Sequence, residues 1–159
     1  MSTVVLGIDP GLKSTGYAIV KSDGRAFEVL EAGRIATSEK AKLENRLKTI
    51  YDGLSEIMNE FNPQAVAVEE LYSHYDHPIT AVIMGHARGL VYLCASHKTI
   101  PVISYASTRI KKSLTGNGRA SKMQMQRNVK SLLKLSKTPE PPDVADAIAV
   151  ALCHIEASR

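Results

Sequence analysis

The run Val4-Val5-Leu6-Gly7-Ile8-Asp9-Pro10-Gly11, continuing through Lys13-Ser14-Thr15-Gly16 to Tyr17-Ala18-Ile19-Val20, constrains this chain more than any other stretch. Its first half is apolar and β-branched, which suits a strand covered on both faces. Asp9 closes that strand, and a lone buried carboxylate is costly unless it is paired or meets a cation. Pro10 fixes φ and Gly11 tolerates a positive φ, so the pair predicts a turn. Gly16 lets backbone or a ligand come close to the second strand. One acid therefore stands at the rigid end of a central strand, beside a turn with room for a ligand. Taken alone, Asp-Pro-Gly would be an ordinary turn that Asp9 starts. Partners for the acid must come from elsewhere in the chain.

Asp23-Gly24 between apolar runs is a hairpin signal. It leads to a third strand over about 26–37, so three antiparallel strands open the chain. Ser38 is placed to cap a helix, whose apolar residues Leu43, Leu47, Ile50, Tyr51, Leu54, Ile57, Met58 and Phe61 recur at steps of three and four. Asn62-Pro63 stops it. Ala65 to Val68 is a short buried strand ended by Glu69-Glu70. The intervening helix makes a crossover, which predicts that this strand runs parallel to the first. In such sheets the ligand crevice lies at the carboxyl ends of the strands.

Tyr72, His74, Tyr75 and His77 follow in a polar loop. The tyrosines could stack on unpaired bases or simply pack the loop, and His-x-x-His here is weak evidence for a metal. Pro78 opens a helix through about His97 that is apolar nearly all round, so the monomer or a second subunit must cover it. A strand over 100–105, a short helix from Ser107 or Thr108, and a helix over 122–135 with Ser121 and Gln124 as a capping box come next. Pro139 to Pro142 breaks the chain before Asp143-Val144-Ala145-Asp146-Ala147. Asp143 reads as a helix cap, whereas Asp146 interrupts an otherwise apolar, alanine-rich helix without a structural excuse. The spacing puts both on one helix face. The element order predicts one α/β domain over residues 1–159, with a five-stranded mixed sheet flanked by helices.

Charge adds a second constraint. Residues 108–137 hold nine basic side chains and no acidic one, against eleven basic and sixteen acidic elsewhere. So lopsided a stretch predicts a polyanionic partner. No basic-then-apolar leader and no apolar run long enough to span a bilayer are evident, which predicts a cytoplasmic protein without membrane contact. Cys94 and Cys153 sit in apolar helical contexts and read as buried thiols.

Asp9, Glu69, Asp143 and Asp146 come from three elements that can converge. Four clustered carboxylates repel one another unless cations neutralise them. Oxygen-only ligation suits Mg²⁺ or Mn²⁺, and two such ions can drive phosphodiester hydrolysis. The basic lobe would hold the phosphate backbone.

At Gly7-Ile8-Asp9-Pro10-Gly11 with Thr15-Gly16-Tyr17, at Ala67-Val68-Glu69-Glu70, at Gly85-His86-Ala87-Arg88-Gly89 and at Asp143-Val144-Ala145-Asp146-Ala147, the chain resembles the RuvC family of Holliday junction resolvases. The resemblance runs from Val4 to about His154. It implies an RNase H-like nuclease domain, a homodimer, and Mg²⁺-dependent paired nicks in a four-way DNA junction, with two ions per site. It places the catalytic, metal-holding carboxylates at Asp9, Glu69, Asp143 and Asp146. Tyr72 matches an aromatic position used at the junction centre, and Lys111 and Lys122 match basic positions near the scissile phosphate. Lys112 and Arg119 are further DNA-binding candidates from the basic stretch, and branch-migration proteins are conceivable partners. His86 stands where the family motif commonly has glutamine. Rival readings are a nuclease for other branched DNA, a junction-binding protein without catalysis, and an actin-like sugar kinase, which shares the first glycine-rich motif but needs a second nucleotide loop.

Overall fold

The computed structural model describes residues 2–71 and 78–159. The strands are β1 (Thr3–Asp9), β2 (Ser14–Ser22), β3 (Phe27–Ala36), β4 (Ala65–Glu69) and β5 (Val102–Tyr105). The helices are α1 (Leu43–Phe61), α2 (Pro78–His97), α3 (Ser107–Thr115), α4 (Lys122–Leu132) and α5 (Pro142–Ala157). The sheet order is β3-β2-β1-β4-β5. β1 pairs antiparallel with β2 and parallel with β4, and β4 pairs parallel with β5. The expected mixed sheet, with β1 at its centre, is present.

Alternation along the central strands sorts their side chains into two cores. Val5, Ala18, Val20 and Ala67 pack with Val144, Ile148 and Leu152 of α5. Leu6, Ile8, Ile19, Val66 and Val68 pack on the opposite face with Ile50, Leu54 and Met58 of α1 and with Val91 and Cys94 of α2. Both cysteines are buried free thiols, as expected.

Several boundaries differ from the sequence reading: β5 starts at Val102 rather than at residue 100, and Pro141 rather than Asp143 caps α5. Ser38 does not cap α1: its hydroxyl accepts from the Lys40 amide at 3.3 Å inside a separate turn, and the helix starts after Lys42. A serine hydroxyl satisfies a local turn as readily as a helix start. The short helix α3 is capped by Ala106, with Ser107 as its first residue. The capping box at Ser121 and Gln124 does form, but α4 ends at Leu132 rather than Leu135, where Lys134 takes a positive φ.

The expectation of no bilayer-length apolar run is also corrected, since α2 is long and apolar enough by length and composition to cross a membrane. One side of α2 is spoken for, because Ala87, Val91, Cys94 and Ala95 are buried against the sheet and α1. Its other side is not: Ile79 is 73% exposed and Val82 61% exposed, with Ile83 and Leu93 also open.

Candidate active site

Asp9 ends β1 and Glu69 ends β4, two neighbouring parallel strands. Strand parity decides where their side chains go. Asp9 shares its parity with Val5, and Glu69 shares its parity with Ala67, both of which face α5. Glu70 falls out of that phase, and its amide donates to the Tyr105 carbonyl at 2.9 Å.

Two glycines bring α5 onto this face. A β-carbon at Gly7 of β1 would clash with the Ala147 carbonyl and lie 2.8 Å from the Ala151 β-carbon. A β-carbon at Gly16 of β2 would lie 2.5 Å from the Asp143 carbonyl carbon. Gly16 pairs in register with Asp9, so the closest approach of helix to sheet falls beside the acid. Here the close approach read from Gly16 is made by backbone. Pro141 caps α5, which puts Asp143 in the first turn and Asp146 one turn on, along the same face. The Asp143 carboxylate accepts a hydrogen bond from the Ser14 hydroxyl. The turn between β1 and β2 is pinned by Thr15, whose hydroxyl donates to the Gly11 carbonyl at 2.7 Å.

Crowding of these acids is visible in their protonation. Asp9 is pushed up to about 7, chiefly by burial and then by Asp146, Asp143 and Glu69, with Lys122 opposing. Asp146 is also raised, mainly by burial, and the Lys122 ammonium 3.7 Å away works against the shift. A neighbouring cleft of about 200 Å³ is lined by Glu69 and Asp146 together with Ser107, Lys111 and Lys122. Acids and ammonium groups thus border one hollow, which can hold a phosphate between cations while the acids hold metal. A second hollow is lined by Asp9, Glu69, Glu70, Met84 and Arg88.

Comparison with known proteins gives the family of the chain. The model of the family described as crossover junction endodeoxyribonuclease RuvC matches residues 5–154. This chain belongs to the RuvC family. A RuvC relative from Rhodopirellula baltica is 48% identical over 152 residues, covering 96% of this chain and 85% of its own length. A RuvC relative from Alkaliphilus oremlandii is 46% identical, with 95% and 92% covered. The solved structure of T. thermophilus RuvC in complex with Holliday junction substrate superposes with a TM-score of 0.94 at 34% identity, covering 99% of this chain and 95% of that one. The yeast mitochondrial resolvase Ydc2, at 14% identity and a TM-score of 0.68, shares the fold. The RNase H-like fold expected from the motifs holds, and the sugar-kinase and binding-only readings give way to a RuvC-type endodeoxyribonuclease.

The sequence-derived site residues of this RuvC chain divide into three groups. Glu69, Asp146, Lys111 and Lys122 line the first hollow and Asp9 and Glu69 the second, while Asp143 lines neither but is close enough to Asp9 to raise its pKa. Lys112 lines a different hollow with Arg109 and Glu156, and Arg119 is exposed on the loop before α4. Tyr72, with His74, Tyr75 and His77, lies outside the described residues. Ser14, as the partner of Asp143, was not legible as a site residue, because nothing local pairs positions 129 apart. Arg88 was visible only as part of a motif.

RuvC enzymes are metal-dependent nucleases, and the residues present fit such a metal. The donors are all carboxylate oxygens, which hard divalent cations prefer. The Asp9 carboxylate is half-buried, with no hydrogen-bond or ion-pair partner among the described residues, and a cation would restore its charge. Among the described residues no three His, Cys, Asp or Glu side chains already stand at chelating range, so side chains must adjust to hold an ion together.

Proposed function

We propose that this chain resolves four-way DNA junctions by paired, symmetric nicks, and that Asp9, Glu69, Asp143 and Asp146 hold two Mg²⁺ ions, with Mn²⁺ also suited to the site. The observation that carries this reading is the convergence of four acids from β1, β4 and α5 beside a cleft walled by Lys111 and Lys122. When bound, the metal pair would generate a hydroxide-like nucleophile and neutralise charge on the reacting phosphate. The chain's own groups do the remainder. Lys111 and Lys122 seat the phosphate, and Ser14 orients Asp143 through its hydrogen bond. The inward phase of Glu69 on β4 supports Glu69, rather than Glu70, as the second acid. Lys112 and Arg119 extend the grip along the backbone, and Tyr72 reaches the junction centre by analogy with the family motif.

The working unit is a homodimer in the cytoplasm, with α2 at the two-fold interface. Ile79, Val82, Ile83 and Leu93 form an uncovered apolar face that a second copy would bury. A symmetric junction needs two sites to be cut in pairs. Branch-migration proteins would supply mobile junctions.

The test is cleavage of a synthetic mobile four-way junction beside linear duplex, with and without Mg²⁺. Metal-dependent paired nicks confined to the junction support the reading, whereas equal cutting of flaps or forks would favour a broader branched-DNA nuclease. Asp9→Asn should abolish cutting and leave junction binding, because affinity comes mainly from phosphate contacts. Glu69→Gln should be far more damaging than Glu70→Gln in single-turnover cleavage, and the reverse order would move the second acid by one residue.

A further inference from the structure

We infer that Arg88 is a positioning residue that ties helix α2 to the acid end of β4, so that the Glu69 carboxylate holds its place only while α2 holds its own. The inference rests on the reading of Glu69 as a metal-holding acid. Arg88 lies on α2, and its guanidinium donates to the backbone carbonyl of Glu69. A second guanidinium nitrogen donates to the Ser104 hydroxyl at 2.7 Å and to the Tyr92 hydroxyl at 3.0 Å. Those two hydroxyls lie 2.9 Å apart, and the guanidinium sits 5.4 Å from the Tyr92 ring centroid. Ser104 pairs in register with Val68, the residue before Glu69. One planar fork therefore spans the last residue of β4, the adjacent position of β5, and α2 itself.

The choice of partners is the informative point. Arg88 lines the same hollow as Asp9, Glu69 and Glu70, yet makes no ion pair with any carboxylate among the described residues. Its donors go to a carbonyl and two hydroxyls. A charge meant to balance the acids would face them; a charge meant to fix backbone takes the carbonyl. Glu69 is the last residue of its strand, one past the final β1 pair at Val68 and matched on the β5 side with Tyr105, and a charge-assisted hydrogen bond to its carbonyl helps set the direction in which the side chain leaves. Lysine cannot reproduce this, because an ammonium lacks the rigid fork that serves several acceptors in one plane. Because Arg88 projects from the helix proposed to meet the second subunit, a shift of α2 would be delivered to Glu69 directly.

The experiment compares Arg88→Lys, Ser104→Ala, Tyr92→Phe and Glu69→Gln in the full chain. Thermal melting and sedimentation report folding and assembly, junction affinity is measured in Ca²⁺, and single-turnover cleavage is titrated with Mg²⁺. Arg88→Lys should raise the Mg²⁺ needed for half-maximal cleavage by about 10- to 100-fold, the usual cost of losing an outer-shell partner of a metal ligand. Junction affinity should stay at the parent value. Ser104→Ala should shift the Mg²⁺ curve the same way by less, and the double variant should be less than additive with Arg88→Lys. An unshifted Mg²⁺ curve in folded Arg88→Lys overturns the inference. So does a loss of junction affinity with the Mg²⁺ curve unmoved, which would make Arg88 a phosphate contact. If Arg88→Lys fails to fold, Ser104→Ala and Tyr92→Phe decide, and unshifted curves in both overturn it. Glu69→Gln that cuts like the parent would refute the metal role of Glu69 and this linkage with it. That failure is distinct from one in which Glu69→Gln is dead and Arg88→Lys unshifted.

Discussion

Gly16→Ala should damage cutting far more than its single methyl group would suggest. The added β-carbon would lie 2.5 Å from the Asp143 carbonyl carbon and 2.8 Å from the Asp143 β-carbon. Carbon atoms in van der Waals contact sit about 3.5–4.0 Å apart, so the start of α5 must retreat from β2 by about 1 Å. The obstacle is helix backbone rather than the free end of a side chain, so rotamer changes cannot absorb it. Overpacking of this kind costs about 1–3 kcal/mol. The retreat carries Asp143 and Asp146 away from Asp9, and a misplacement of about 1 Å in a catalytic constellation can cost about 100-fold in rate. Gly53→Ala is the control, since its β-carbon would meet the δ-carbon of Ile35, the flexible end of a side chain away from the acids. Urea unfolding gives the stability change, and single-turnover junction cleavage at saturating protein and Mg²⁺ gives the rate. The expected result is a folded Gly16→Ala protein that binds junctions normally and cuts about 100-fold more slowly, with Gly53→Ala cutting at the parent rate. A folded Gly16→Ala protein cutting at the parent rate would refute the claim that close docking of α5 places the acids.

The acids also predict a pH dependence. Asp9 titrates at about 7 in the folded chain against 3.8 ordinarily. Between those values the folded state keeps a proton that the unfolded state has lost. Metal-free stability is therefore greatest below that window and falls as pH rises through it. Urea midpoints in EDTA should drop between about pH 4 and pH 7, Mg²⁺ should reverse much of the drop, and Asp9→Asn should shrink it; a rising midpoint would contradict the assignment. Lys111→Ala and Lys122→Ala should each lower the slope of log affinity against log salt by about one phosphate equivalent at most, and unchanged slopes in both would remove them from the interface. Val82→Glu should abolish the proposed dimer at micromolar concentration while the monomer melts normally, because Val82 is 61% exposed on the open face of α2; an unaltered sedimentation profile would refute an interface at Val82.

What could be read from the sequence followed from local periodicity. Val4 to Asp9 and Ala65 to Glu69 are apolar runs closed by acids, so both the central strands and two of the four carboxylates were visible. Asp146 stood out because an acid in an alanine-rich helix lacks a packing reason. The hydrogen bond from Ser14 to Asp143 and the reach of Arg88 across two strands were not legible, since long-range side-chain contacts leave no periodic trace. The helix start after Lys42 was hidden by Ser38, whose hydroxyl serves a turn instead. The sequence showed α2 to be apolar nearly all round, but its docking on α1 and the sheet reveals which side is left uncovered.

The sheet's two apolar layers have a consequence for how the molecule can vary. The lysines of α3 and α4 and the acids of α5 stand over one face, while the open side of α2 belongs to the other. Substitutions in one layer should thus retune the hold on DNA without disturbing the proposed self-association through α2, and the reverse should hold equally. At the carboxyl edge of β4 the partition leaks, because Arg88 reaches there from the second layer to the backbone of Glu69. Changes that combine altered assembly with altered cutting should therefore concentrate around that edge, with each layer otherwise drifting independently.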